Sequence, residues 1–142
     1  MKIEPFLIAS TVNVVIAQRL VRKICMKCIV SYTLTEKEFE NFKKEIDVSK
    51  FLSIENLKEI RLYKGKGCEN CNNSSYSGRI GIFEILEVKD NIKELILTSA
   101  DASKIKKQAI ENGMTTMFED GFSKAISGQT TIKEVLRVIK SK

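Results

Sequence analysis

Four cysteines in two Cys-x-x-Cys pairs constrain this 142-residue chain more than any other feature. They are Cys25-Met26-Lys27-Cys28 and Cys68-Glu69-Asn70-Cys71, separated by 39 residues, and the chain has no other cysteine. Two intervening residues let the backbone turn until both thiolates of a pair face one ion, and two pairs complete a tetrahedron with sulfur about 2.3 Å from zinc. The chain has no His, which excludes mixed Cys/His zinc sites, His-based metalloprotease sites, and both Ser-His-Asp and Cys-His catalysis. What remains is an all-sulfur site, closed on four sides and therefore structural. The candidate metal ligands are Cys25, Cys28, Cys68 and Cys71, and the candidate cofactor is Zn2+, with iron the second choice for four thiolates.

A 39-residue separation exceeds that of a minimal zinc ribbon, but a fourfold longer loop adds only about 1.2 kcal/mol of closure entropy. Zinc binding, roughly 10–16 kcal/mol in small modules, outweighs that cost. Disulfides within the pairs would each close a tiny loop and constrain the unfolded chain little, and a thioredoxin-like dithiol needs one pair near a helix start, not two.

The formal net charge is +6, spread over both halves of the chain. One stretch stands out: Arg19, Arg22, Lys23 and Lys27 follow one another with no acid between them. Four thiolates around a divalent ion leave a formal charge of about −2. Arg22, Lys23, Lys27, Lys64 and Lys66, flanking the pairs, are therefore expected to balance it. The same cations, with Tyr63, Tyr76 and Phe83 as possible base-stacking platforms, support a rival reading as a zinc-ribbon nucleic-acid binder. Strand aromatics more often fill a core.

The N-terminus superficially resembles an export signal, with Lys2 ahead of an apolar stretch from Phe6 to Ala17. Glu4 stands where positive charge is wanted, Pro5 precedes the stretch, and Ser10, Thr11 and Asn13 interrupt it. The stretch is also too short to span a bilayer. A cytoplasmic chain is expected, and its abrupt apolar beginning suits a fragment.

Pro5 suits a first helical position, and Ile8, Val12, Ile16, Leu20 and Ile24 recur every four residues, which reads as helix. The run Asn13-Val-Val-Ile-Ala is equally suited to a strand, so a short helix followed by a strand fits the same residues. Thr35 and Glu38 form a capping box ahead of Phe39, Phe42 and Ile46. A further short helix is expected around Ile54 and Leu57, and an extended segment at Arg61–Tyr63 before a turn at Gly65 and Gly67. Residues 79–88, RIGIFEILEV, read as the clearest strand, apolar enough on both faces to lie inside a sheet. Glu84 and Glu87 within it are expected at the surface. The last third reads as helices capped by Asp90, by Asp101 and by the boxes Thr116/Glu119 and Thr131/Glu134, with stops at Gly113 and Gly128.

No GxxxxGK[ST] phosphate loop and no GxGxxG is present; Gly65-Lys66-Gly67 lacks both the spacing and the magnesium-binding hydroxyl. The residues hold no catalytic constellation.

The ordered segments EPFLIAS, VIAQRLVRKIC, LYKGKGC, YSGRIGIFEILEV and GMTTMFEDGFSKAISGQTTIKEVLRV resemble, across nearly the whole chain, the C-terminal part of the type IV pilus assembly and type II secretion ATPases of the PilB/GspE type. In that family EPFLIAS follows directly on the nucleotide-binding core, whose phosphate loop and acidic and His-containing boxes lie upstream. The resemblance implies an α+β fragment: the edge of a RecA-like α/β ATPase core, a four-Cys zinc module and a small helical C-terminal subdomain. The expected divisions are 1–24 for the last helix and strand of the core, 25–78 for the zinc module with its helical insertion, 79–88 for a core-edge strand and 89–142 for the helical subdomain. It favours helix-then-strand for residues 5–24. The family's metal ligands carry over onto Cys25, Cys28, Cys68 and Cys71, and its catalytic residues onto nothing, so this chain is not expected to be an enzyme. ATP and Mg2+ belong to the full-length protein. The implied partners are other subunits of a homohexameric ring and an inner-membrane platform protein, with no nucleic acid, on the cytoplasmic face of the membrane.

Overall fold

A computed structural model describes residues 3–37 and 60–140. Glu38, Phe39, Phe42, Ile46, Ile54 and Leu57, on which the helices after Thr35 were expected, lie outside the described residues. The chain forms helix α1 (Pro5–Thr11), strands β1 (Val14–Ile24), β2 (Ile29–Thr33) and β3 (Arg61–Gly65), a single 3-10 turn (Glu69–Cys71), strand β4 (Tyr76–Glu87), and helices α2 (Asp90–Leu97), α3 (Ala102–Glu111), α4 (Met117–Ile126) and α5 (Ile132–Lys140). Among the described residues this is an α+β fold with two two-stranded sheets, β1 with β4 and β2 with β3. It divides into two compact units, residues 1–19 with 81–120 and residues 20–80 with 121–142. No helix among the described residues is long and apolar enough to cross a membrane.

The helix-then-strand reading holds for residues 5–24. Pro5 starts α1, which closes with the Val12 N–H donating to the Ile8 carbonyl at 3.0 Å. From Val14 the β-branched residues, stiff at the first side-chain torsion, favour extended backbone.

In the first unit, Val88, Ile92 and Ala109 form a buried cluster flanked by Val12, Leu86, Ile96, Ile105 and Met114. Helices α2 and α3 are tied by Asn91 and Asn112, whose side-chain amides exchange bonds of 2.8 and 3.0 Å. Asp90 is not the cap of α2 but its first residue, with Lys89 in the cap position. Asp101 does occupy the cap position of α3, although its side chain makes no capping bond there. Helix α3 stops at Asn112 and Gly113, the latter left-handed with φ +94°. The Thr116/Glu119 box forms in both directions, with the Glu119 N–H reaching the Thr116 hydroxyl at 3.3 Å and the Glu119 carboxylate accepting from the Thr116 N–H.

Strand β4 corrects two expectations. It pairs only with β1 among the described residues, and Ile82 is its one buried residue. Phe83 and Ile85 are 37% and 52% exposed, so the continuous apolar run does not make it an interior strand here. Glu84, in turn, is not a solvated acid: it accepts the Met117 N–H at 3.2 Å and pairs with Lys106 at 3.5 Å. Glu87 does lie at the surface, beside Lys89.

In the second unit β2 and β3 run antiparallel, with Ile29 opposite Gly65 and Thr33 opposite Arg61. Among the described residues its buried apolar side chains include Val21, Ile24, Leu62, Phe122, Ala125, Val135 and Val138. Helices α4 and α5 approach closely at Gly121, where a Cβ would stand 2.6 Å from Val135 Cγ1.

Candidate metal centre

The two Cys-x-x-Cys segments are short turns, each closed by a backbone bond from its second cysteine to its first: Cys28 N–H to the Cys25 carbonyl at 3.2 Å and Cys71 N–H to the Cys68 carbonyl at 3.1 Å. The second turn continues into an unusual backbone, with Asn72, Asn73 and Ser75 all left-handed at φ +47°, +57° and +70°. That path folds the chain back, so that the Asn73 N–H also reaches the Cys68 carbonyl at 2.9 Å. Two bonds then join the segments: Cys25 N–H to the Ser75 carbonyl and Lys66 N–H to the Cys28 carbonyl, both 3.0 Å.

These contacts bring all four sulfurs to within 4.8 Å of one another. Cys25 to Cys68 is 3.8 Å, Cys28 to Cys71 is 3.9 Å and Cys68 to Cys71 is 3.7 Å. A regular tetrahedron with metal–sulfur bonds of 2.3 Å requires about 3.8 Å between sulfurs. All four cysteines are free thiols. Cys25 and Cys71 are buried and Cys28 and Cys68 half-buried, so the cluster is positioned to hold one metal ion within the fold.

The thiols are not equivalent. Burial pushes Cys68 up to about 11, helped by its contact with Cys71. Burial also opposes ionisation of Cys71, but N–H donation from Cys68 and Ser75 outweighs it and brings that thiol down to about 7. Within the second pair, Cys71 is thus the more readily deprotonated sulfur.

Two of the cations expected to balance the sulfurs have other partners as well. Arg22 turns to Glu134, its Nη2 2.6 Å from Oε1, and its guanidinium lies 4.2 Å from the centre of the Tyr76 ring. Lys64 lies over Tyr32 at 5.0 Å. A carboxylate and two aromatic faces engage these two cations. Lys23, Lys27 and Lys66 are exposed. Neither tyrosine is a free stacking platform: Tyr76 carries Arg22 and bonds Thr131 through its hydroxyl at 3.0 Å, and Tyr63 packs against Gly128, where a Cβ would meet its ring at 3.3 Å.

The family model described as "Type II/IV secretion system protein" matches residues 1–137. The chain belongs to the type II/IV secretion system protein family. Within this secretion family it is similar to the type IV pilus assembly ATPase PilB of Myxococcus xanthus, 33% identical over 136 residues, covering 96% of this chain and 23% of that protein. PilB of Thermus thermophilus is 39% identical over 136 residues, 96% of this chain and 14% of that one. The type II secretion system protein E of Xanthomonas campestris is 37% identical over 138 residues, 97% and 23% respectively. The chain spans under a quarter of the length of these secretion-family relatives.

One feature of this secretion-family chain escapes sequence reasoning. Glu134, expected as the acid of a capping box, takes only half of that role: its N–H bonds the Thr131 hydroxyl at 3.2 Å. Its carboxylate, 1% exposed, instead accepts from the Arg22 side chain, the Arg22 N–H at 3.2 Å, and Arg137 Nε and Nη2 at 3.0 and 2.9 Å. Burial opposes its ionisation, but the two guanidinium groups prevail and hold the carboxyl down at about 2. The one available sequence signal was an acid three residues before Arg137 on an otherwise apolar helix face.

Proposed function

We propose that this chain is the zinc-stabilised C-terminal module of an ATPase that powers type IV pilus assembly or type II secretion. The observation that carries the reading is the sulfur quartet, whose spacings of 3.7–3.9 Å match those of a tetrahedral zinc thiolate site. Cys25, Cys28, Cys68 and Cys71 are the ligands. Bound there, zinc supplies coordination with no open position, and hence rigidity, not reaction chemistry. The protein's own contribution is the pair of turns and the Ser75 and Lys66 backbone bonds that hold the four sulfurs ready.

The names of the relatives support the ATPase assignment. In this reading ATP and Mg2+ bind elsewhere in the full-length protein, and the chain does not itself turn over ATP, because it carries no phosphate loop. Residues 1–24 and 79–88 are the edge of a RecA-like core, 25–78 the metal module and 89–142 a helical subdomain. The full-length protein works as a homohexamer at the cytoplasmic face of the inner membrane, against a platform protein. The nucleic-acid alternative is disfavoured by Arg22 and Tyr76, which bind Glu134 and Thr131 instead of facing a ligand.

The test is metal content after purification under reducing conditions without added zinc. One equivalent of zinc per chain is expected, lost when Cys68 and Cys71 are replaced by Ser. A metal-free chain that is natively folded and indifferent to chelators would overturn the assignment.

A further inference from the structure

We propose that Glu134 is a positioning residue for the four-cysteine site, acting through Arg22 and Tyr76, so that metal binding and the docking of α5 are coupled. The inference rests on the metal reading given above and concerns how tightly the site binds.

Four residues form a ring, closed through one backbone N–H. Glu134 binds Arg22 at 2.6 Å, Arg22 lies on the Tyr76 ring at 4.2 Å, the Tyr76 hydroxyl meets Thr131 Oγ1 at 3.0 Å, and Thr131 Oγ1 accepts the Glu134 N–H at 3.2 Å. The backbone of Arg22 is held as well: its N–H donates to Glu134 Oε2 at 3.2 Å and its carbonyl accepts from the Thr130 hydroxyl at 2.8 Å. Two residues on, the Ile24 N–H donates to the Gln129 carbonyl at 3.0 Å.

The ring sits on the two arms that carry the sulfurs. Arg22 lies three residues before Cys25, and Tyr76 five residues after Cys71. The second arm is braced internally, because the Ser74 hydroxyl bonds the Cys71 carbonyl at 2.6 Å and the Tyr76 carbonyl at 3.0 Å. Between ring and sulfurs, the Cys25 N–H reaches the Ser75 carbonyl at 3.0 Å. Residues 22–25 and 71–76 are therefore clasped twice, by the ring around Glu134 at one end and by the sulfur quartet at the other. Two clasps on the same pair of segments cooperate: closing either removes conformational freedom that closing the other would have to remove again. By linkage the effect is reciprocal, so metal steadies α5 by the same factor by which Glu134 tightens the site.

Co2+ serves as the probe, titrated into the reduced 142-residue chain and followed by its thiolate charge-transfer absorbance. Glu134→Gln is expected to weaken cobalt binding about tenfold, in the range typical of coupled sites and of outer partners of metal ligands. Tyr76→Phe, which keeps the ring under Arg22 and removes only the hydroxyl bond, gives a smaller loss of about threefold, and decides the matter if Glu134→Gln fails to fold. Amide exchange across Ile132–Lys140 supplies the second readout. In the unsubstituted chain cobalt slows it, and in Glu134→Gln that slowing shrinks by the factor lost in affinity, whereas a purely structural Glu134 would speed exchange equally with and without cobalt. Affinity within twofold of the unsubstituted chain in both variants, or α5 exchange indifferent to cobalt, overturns the coupling and leaves the metal site standing. Absence of thiolate charge transfer in the unsubstituted chain overturns the metal reading, and this inference with it.

Discussion

Replacing Gly65 by Ala places a methyl group where there is no room for one. The added Cβ would lie 2.4 Å from the Ser75 carbonyl oxygen, 2.7 Å from its Cβ and 2.9 Å from its Cα. None of these atoms can swing aside, because they are backbone or attached directly to it. The segments must therefore part by roughly an ångström to reach ordinary van der Waals separation. Overpacking of this kind costs about 1–3 kcal/mol. Moving Ser75 also strains its bond with the Cys25 N–H, a further loss of about 1 kcal/mol. Against this, Ala restricts the unfolded chain and returns about 0.4–1 kcal/mol. The net expectation is a loss of roughly 2 kcal/mol, or about 5–10 °C in melting temperature for a chain of this size, with weaker metal binding because Ser75 also donates to Cys71. Thermal melts by circular dichroism under reducing conditions with zinc present measure the first, and cobalt titration the second. Gly113→Ala is the comparison: its φ is +94° but nothing lies within 4 Å of the new Cβ, so it suffers only the left-handed backbone penalty of about 1 kcal/mol. If Gly65→Ala melts no lower than Gly113→Ala and binds cobalt normally, the contact between β3 and Ser75 does not hold the site.

Two further outcomes follow from buried groups. Because the folded-state pKa of Glu134 is depressed from 4.5 to about 2, its contribution of about 3 kcal/mol is fully present above pH 4.5 and is lost as pH falls through 2. The difference in urea unfolding free energy between the unsubstituted chain and Glu134→Gln should shrink over that window, and a difference constant with pH would contradict the ion pairing. Ile92, fully buried in the first unit's cluster, should cost about 3 kcal/mol when truncated to Ala, read as a lower urea midpoint with unchanged slope.

How much of this was legible beforehand depended on the range of each interaction. The cysteine spacing is local and chemically specific, so the four sulfurs could be assigned to one another across 39 intervening residues. The Thr116/Glu119 box is equally local, and it forms as expected. The repeat from Ile8 to Ile24 failed to discriminate for a geometric reason: a period of four is close to the helical 3.6 and is also a multiple of the strand period of two. It puts the same residues on one face either way, and the β-branched run from Val14 decided the outcome. Glu84 was misjudged because its partners, Met117 and Lys106, lie on segments more than twenty residues away.

Glu134 shows the limit most sharply, because the local rule was half right. A capping box needs a carboxylate that turns back to the residue three positions earlier, worth about 1 kcal/mol at a solvated helix start. Arg22, 112 residues earlier in the chain, offers the same carboxylate a charged side chain and a backbone N–H together, and charge-assisted bonds of this kind are about twice as strong as neutral ones. Once Glu134 is buried, leaving it with only a neutral backbone partner would expose the full cost of desolvating its charge. The two arginines are then a condition of burying α5 by this face at all. A tertiary partner of that strength overrides a local cap wherever the fold brings it within reach, and the strand that leads Arg22 into the first cysteine turn does so here.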